Sequence, residues 1–478
     1  MNLNIQGIRL YGGCLVAFYG GFMVESYEQK YRETEVKAME ELNYTEINKE
    51  LLHFLDESPN AFYAVKNMSD AFDTHGFTRL NEGEVWKLEA GGNYYVSRND
   101  SALIAFRIPK DGYVGYQIMA SHADSPVFKI KTNAEIEVDN AMIKLNVEKY
   151  GGMICAPWLD RPLSIAGRVV IDTDKGIETR LINIDKDLLI IPNLAIHMNH
   201  DVNNGYSFNA QKDMLPLFGD IDAKGGLMRI IAEAAGTKES AILDTDLYLY
   251  NRNKGTVFGA NNEYIASGRL DDLQSAFSSM KALLLSEPKR SIALHCVYDN
   301  EEVGSVSKQG AASSFLKDVM GRINSAFGKS DEEKLILLQN SFLVSADNAH
   351  CVHPNQSDKA DPTNRPYMNK GIVIKYSANQ KYTTDAISGA LFRKICKKAG
   401  VPYQTFANRS DMIGGSTLGN ISTSQVAVNT IDIGLPQLAM HSCYETAGAK
   451  DTAYLVKAAQ VFYSSSVEGI GNGSYSLS

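Results

Sequence analysis

The chain has 478 residues, 44% of them hydrophobic and 22% charged, which describes a globular protein of two or three units able to bury a large core. Its 47 Lys and Arg against 56 Asp and Glu leave a net charge of −9. No basic run offsets that balance, which excludes an electrostatic footprint for nucleic acid. Six scattered cysteines (Cys14, Cys155, Cys296, Cys351, Cys396 and Cys443) contain no CxxC pair and fit reduced thiols in the cytoplasm better than a disulfide framework.

In chain order, the apolar stretch Leu10 to Val24 resembles a short signal core, but it carries four glycines and is too short to span a bilayer. Residues 1–43 are expected to form a weakly packed extension, with Met23 as an alternative start. Tyr44 to Met68 reads as helical, with Thr45 as N-cap, Leu51, Leu52 and Leu55 at helical spacing, and a break at Ser58-Pro59. Gly92 to Pro109 alternates as a strand does, and Tyr113 to Ala120 is a second strand that empties into Ser121-His-Ala-Asp-Ser-Pro126. From about Lys129 to Thr237, short β-rich runs alternate with Gly, Asn and Asp turns and no long amphipathic helix appears. Leu273, Ala276, Phe277, Met280, Leu283 and Leu284 then form a helical stripe that begins close to Asp271-Asp272. The apolar run Ser291–Tyr298 is a buried strand ending in Asp299-Asn-Glu-Glu-Val-Gly-Ser305. Phe342–Ala346 ends at Asp347, and Ile431–Met440 is a last strand ending at His441.

This order predicts an α/β fold: a central mixed β-sheet flanked by helices, carrying an inserted β-rich domain. The boundaries drawn are 44–131 and 238–470 for the main domain, 132–237 for the insertion, and 471–478 for a tail. His122, Asp271, Glu301, Glu302, Asp347 and His441 all fall just beyond a strand or at a helix start, where open α/β sheets gather their ligands. Two imidazoles with several carboxylates are a donor set for Zn²⁺ or a similar divalent ion. One carboxylate shared between two ions about 3.5–4 Å apart would make a two-metal hydrolytic site, and a carboxylate beside the ligands would take the proton of the attacking water. In His122-Ala-Asp124, the aspartate is placed to accept the second ring N–H of the histidine and fix its tautomer. His53 and His75 have no acidic partner pattern, and His295, inside a strand, reads as a core histidine. His200 and His350 stand evenly between support and chemistry.

From about Tyr44 to Ser465 the sequence resembles the aspartyl aminopeptidases, cytosolic dinuclear zinc exopeptidases. The resemblance rests on Ser121-His-Ala-Asp-Ser-Pro126, Trp158-Leu-Asp-Arg-Pro-Leu-Ser-Ile-Ala-Gly-Arg168 and Ile191-Pro-Asn-Leu-Ala-Ile-His197. It continues through Arg269-Leu-Asp-Asp-Leu273, Asp299 to Ser305 and Ser345-Ala-Asp-Asn-Ala-His-Cys-Val-His-Pro-Asn355. It closes with Gly415-Ser-Thr-Leu-Gly419 and Ala439-Met-His-Ser442.

The resemblance implies two Zn²⁺ per subunit, with Co²⁺ or Mn²⁺ as substitutes. His122 and Asp347 would hold one ion, Glu302 and His441 the other, and Asp271 would bridge them, followed by a cis peptide bond. Glu301 would be the general base, Asp124 would act from behind His122, and Glu302 would also meet the substrate amine. His353 would help hold the substrate, His197 would enter the neighbouring subunit's active site, and Lys375 would meet an acidic substrate side chain. The substrates implied are peptides with acidic N-terminal residues. The assembly implied is a cytoplasmic dodecamer built from dimers through the insertion, with no nucleic-acid or membrane partner.

Three departures surround the expected pocket. Asp272 stands where the family often has Asn, Cys443-Tyr444-Glu445 replaces Ile-Arg-Glu, and a His-rich segment becomes Asp361-Pro-Thr-Asn-Arg-Pro366. A preference for neutral N-terminal residues is therefore an alternative, as is another two-metal amide hydrolase such as a deacylase or carboxypeptidase. A non-enzymatic assembly protein would be expected to have lost ligands. Neither a GxSxG elbow nor an HExxH helix is present.

Overall fold

The computed structural model describes residues 44–412 and 414–478 and divides the chain into two units, Met1–Ile47 and Asn48–Ser478. Of the first unit, residues 44–47 are described and are helical. The expected extension 1–43 lies outside the described residues.

The larger unit is built on a nine-stranded mixed sheet. Its order is Thr78–Arg79, Asn93–Arg98, Ala102–Arg107, Ser291–Tyr298, Gly115–His122, Phe342–Ala346, Asn429–Gly434, Ile372–Lys375 and Tyr403–Phe406. Four central neighbours, from Ser291–Tyr298 to Asn429–Gly434, run parallel and therefore deliver their carboxyl ends to one edge. The register pairs Tyr298 with His122 and Ala346 with Ile433. Ser291–Tyr298 and Gly115–His122 are buried along their whole length because helices cover both faces of the sheet. Leu270–Leu285 and Asp451–Tyr463 pack together on one face. On the other, Phe315, Leu316, Val319 and Ile323 of helix Phe315–Ala326 close over Tyr116, Ile118, Ile292 and Leu294. Burying each such side chain contributes about 1.5–3 kcal/mol, which makes the sheet a rigid base for its edge.

Several elements differ in detail from the sequence reading. Gly92 to Pro109 is a hairpin of two strands, Asn93–Arg98 and Ala102–Arg107, because Asn99 and Asp100 both take positive φ and turn the chain. The helical stretch breaks as expected, and Asn60 caps the second helix, Ala61–Thr74, by accepting the Tyr63 N–H. Ile431–Met440 is not one strand. Asn429–Gly434 belongs to the central sheet and Pro436–Leu438 to a separate five-stranded sheet. A Cβ on Gly434 would lie 2.1 Å from the Asp347 carbonyl oxygen, so only glycine lets these two chain segments approach so closely. The last residues, expected as a tail, form a hairpin of Val467–Gly471 with Ser474–Leu477.

The β-rich region is a six-stranded antiparallel sheet ordered Gly176–Asn183, Leu163–Thr173, Ile242–Asn251, Val127–Val138, Met142–Tyr150 and Leu217–Asp220. Its own core includes Phe128, Leu145, Trp158, Ile165 and Leu249, covered by the ten-residue helix Gly226–Ala235. The sheet reaches from Val127 to Asn251, beyond 132–237 at both ends, because its strands run without interruption out of the main domain. Among the described residues, no helix is long and apolar enough to cross a membrane. The five described cysteines are free thiols.

Candidate metal centre

The carboxyl edge of the parallel strands opens into a cavity of about 320 Å³ whose walls include His122, Asp271, Glu301, Glu302, Asp347, Lys375 and His441. His122 is the last residue of its strand, and Asp347 comes directly after the end of Phe342–Ala346. Asp271 lies in the first turn of Leu270–Leu285, where the backbone angles are non-helical and the Asp271-Asp272 bond is cis, and its side chain lines the cavity. Glu301 and Glu302 stand on a short 3₁₀ turn entered through Asn300, whose φ of 61° takes the chain out of the strand. That change of direction lets neighbouring glutamates face one cavity, which a strand would forbid.

The distances group the donors. Donor atoms of His122, Asp271 and Asp347 lie within 4.8 Å of one another, as do those of Asp271, Glu302 and His441, and those of His122, Glu301 and Glu302. Asp271 belongs to two of these groups: its Oδ1 is 3.5 Å from His122 Nε2 and its Oδ2 3.6 Å from His441 Nε2. Both imidazoles are fixed from behind. His122 Nδ1 donates to the Asp124 carbonyl (3.0 Å) and His441 Nδ1 to the Gly152 carbonyl (2.6 Å), and a carbonyl can only accept. In the neutral rings each Nε2 lone pair therefore points at carboxylate oxygens, an arrangement that asks for a proton or a cation between them. Asp271 Oδ1 and Glu302 Oε1 are buried with no hydrogen-bond partner in the protein. An orphaned buried carboxylate oxygen is costly, and the whole donor set fits divalent zinc.

The electrostatics arise from crowding. Burial alone would raise the Asp271 carboxyl, but the imidazoles of His122 and His441 hold it below its ordinary value. Burial alone would depress both imidazoles. Asp124 and Asp271 instead hold His122 well above 6.5, and Asp271 with Glu302 pushes His441 up to about 10. Burial, reinforced by Asp347 and Asp124, raises Glu301 to about 8, while Glu302 and Asp347 are raised by burial and by Asp271.

Asp124 takes a different part from the one expected. Its carbonyl, not its carboxylate, accepts from His122, while the carboxylate lies 3.5 Å from Nδ1. The carboxylate accepts the backbone N–H groups of Glu301 and Glu302, both at 3.1 Å, and the Tyr150 hydroxyl at 2.6 Å. It therefore pins the glutamate turn. Asp272 is fully buried and accepts the His122 backbone N–H, so the extra carboxylate lies beneath His122 rather than in the pocket wall.

Lys375 is buried in the cavity wall, donating to the Asn348 carbonyl (2.8 Å) with Nζ 3.7 Å from Asp347 Oδ1. His350 lines the same cavity. His353 and His197 do not join the cluster: both are exposed, His353 accepting the Asn355 N–H and His197 lying on the 3₁₀ turn Ile196–Met198 of the β-rich sheet region. His295 is a core histidine bonded to Ser279. Sequence reasoning missed Glu445 as a support. Its two oxygens accept the N–H groups of His441 (2.8 Å) and Asp271 (3.0 Å), so one buried carboxylate holds both backbones in place. No spacing rule could show that, since Asp271 is 174 residues away.

The model of the aminopeptidase I zinc metalloprotease (M18) family matches residues 54–463. A probable M18 family aminopeptidase 2 of Clostridium acetobutylicum is 46% identical over 430 residues, covering 88% of this chain and 99% of the relative. A chain from the cryo-EM structure of the Ape4 and Nbr1 complex superposes with a TM-score of 0.85 at 36% identity, covering 88% of this chain and 86% of that one. A chain of the S. cerevisiae mApe1 dodecamer gives a TM-score of 0.78 at 28% identity, covering 88% and 97%. The chain belongs to the M18 family of zinc metalloproteases and is an aminopeptidase, a hydrolase acting on peptides.

Proposed function

We propose that the enzyme removes acidic N-terminal residues from peptides at a dinuclear zinc centre. The observation that carries this reading is the shared Asp271 carboxylate, which joins the His122–Asp271–Asp347 group to the Asp271–Glu302–His441 group. On this reading His122 and Asp347 would hold one ion and Glu302 and His441 the other, with Asp271 belonging to both groups; Co²⁺ or Mn²⁺ could substitute. Zinc bound there supplies an activated water and polarises the scissile carbonyl.

The protein groups do the rest. Glu301 takes the proton from the attacking water and returns it to the leaving amine. Asp124 keeps Glu301 and Glu302 in their orientations through the turn's backbone. Glu302 faces the substrate amine, and the Lys375 ammonium meets the carboxylate of an Asp or Glu side chain, an ion pair favoured by burial of the lysine. His353 helps hold the substrate.

The β-rich region around 132–237 is the dimerisation unit. Its exposed apolar residues Leu194, Ile196 and Met198 flank His197, which on this reading enters the partner's site. The dodecamer of the S. cerevisiae relative is the assembly we propose here. Free thiols fit a cytoplasmic setting.

Turnover of Asp-, Glu-, Ala-, Leu- and Lys-terminated peptides by protein of defined zinc content, beside N-acetylated counterparts, tests this reading. Acidic termini should lead. Preference for Ala or Leu would overturn the acidic specificity, and faster cleavage of acetylated substrates would replace the aminopeptidase by a deacylase.

A further inference from the structure

The residues leaving the β-rich sheet touch the centre at three consecutive positions. Tyr150 ends the strand Met142–Tyr150, and its hydroxyl donates to Asp124 Oδ2 at 2.6 Å while accepting from Asn300 Nδ2 at 2.8 Å. Gly151, with φ 75°, lies so close to the turn that a Cβ there would meet Glu302 Cβ at 3.1 Å. The Gly152 carbonyl accepts from His441 Nδ1. One strand end thus bears on the proton-transfer turn, on Glu302 and on a histidine of the second group.

We propose that Tyr150 is a positioning residue for Glu301 and Glu302, and that it ties the geometry of the catalytic turn to the β-rich sheet. Asp124 is the intermediary. Its carboxylate accepts both glutamate N–H groups, and the Tyr150 hydroxyl supplies the side-chain donor that orients it. The same hydroxyl fixes Asn300, the residue in left-handed conformation that starts the turn. The link is anchored at its far end by sheet pairing, Tyr150 opposite Val127, and by edge-on packing of its ring against Tyr248 at 6.1 Å. A hydroxyl shared between Asn300, which starts the turn, and Asp124, which holds the turn's backbone, acts on orientation, because it touches neither the donor atoms of the metal groups nor the cavity wall described above.

The role of Tyr150 rests on the reading that Glu301 moves the proton, and the experiment separates the two. Tyr150→Phe keeps the ring and its packing but removes the shared hydroxyl. In the full-length assembled enzyme it should lower kcat by about 10-fold or more, the scale of a lost supporting hydrogen bond behind a metal centre, with KM, zinc content and assembly size unchanged. Asn300→Gly tolerates the left-handed backbone and cuts the other side of the link, so it should give the same kcat loss, and the double variant should be no worse than either single one. If Tyr150→Phe fails to assemble, Asn300→Gly alone reads the link. A kcat within twofold of the unaltered enzyme overturns the proposal, as does a loss proportional to zinc content, a rise in KM alone, or full additivity of the pair. Glu301→Gln measured alongside shows whether the reading of Glu301 stands: turnover by that variant removes the reading, whereas its inactivity beside an active Tyr150→Phe removes only the role of Tyr150.

Discussion

Glu302 Oε2 lies 3.4 Å from His441 Nε2, and while the carboxylate is ionised and the ring neutral neither atom can donate to the other, since the ring's one proton is given to the Gly152 carbonyl. In the metal-free protein a proton on His441 relieves this, and the carboxylates of Asp271 first and Glu302 second push the ring up to about 10. Zinc held by the proposed ligands would displace that proton. Zinc added to chelator-treated protein at pH 7 is expected to release at least about one proton per chain. Calorimetric titration in buffers of different ionisation enthalpy measures it, and heats that do not vary with buffer would contradict this account.

The stability of the metal-free protein is expected to fall as pH rises from about 5 to 9. Glu301 and Glu445, each raised to about 8, bind protons in the folded state that they lose unfolded, so their contribution declines once pH passes the ordinary carboxylate range and is gone above about 8. His441, raised from 6.5 to about 10, contributes fully below 6.5 and loses that contribution as pH climbs through 10. All three act in the same direction. Thermal unfolding of chelated protein across this range should show a declining Tm that zinc restores, and a Tm that rises with pH would refute the assignment.

Replacing Glu301 by Gln should leave zinc content and assembly intact and cost between about 100- and 10,000-fold in kcat, the range of a general base. Single-turnover rates with metal analysis on the same sample provide the check. Rates near those of the unaltered enzyme would move the proton transfer elsewhere.

His197 is exposed and stands apart from the cavity of its own chain, so His197→Ala is expected to retain zinc yet lose roughly 10- to 100-fold in turnover through a misplaced substrate. Mixing this variant with Glu301→Gln subunits before assembly should restore some activity if the histidine acts across the interface. No recovery in mixed assemblies would confine His197 to a local role.

Lys375→Met keeps the length and burial of the side chain and removes the ammonium. The ratio of kcat/KM for Asp- over Ala-terminated peptides should drop by roughly 30-fold, the equivalent of about 2 kcal/mol for one buried charge partner. An unchanged ratio would leave Lys375 with only its partners inside the protein, Asp347 and the Asn348 carbonyl.

Much of the centre was legible in the sequence because its residues sit where apolar runs stop. Ser291–Tyr298 and Gly115–His122 announce themselves as continuous buried strands, and the residues just past a buried strand in such a sheet face the ligand edge. The split of Ile431–Met440 between two sheets was not legible, since the apolar run continues through a change of partners that only Gly434 and its close approach to Asp347 explain. The part played by Asp124 was misread for a similar reason. Its spacing from His122 shows that the two are near, but the choice between carbonyl and carboxylate is made by Tyr150 and the glutamate turn arriving from elsewhere in the chain.

The sequence by itself determined the kinds of donor, their order along the chain, the strands that end beside them and the family to which they belong, because strand periodicity and donor chemistry are local properties. Only the tertiary structure decided which oxygen of Asp271 faces which histidine, which groups sit behind these side chains and how the β-rich sheet reaches the Glu301-Glu302 turn. Those are contacts between segments more than a hundred residues apart, such as Glu445 with Asp271 or Asp124 with Glu301. Their geometry depends on parallel register and close packing, which no stretch of sequence carries alone.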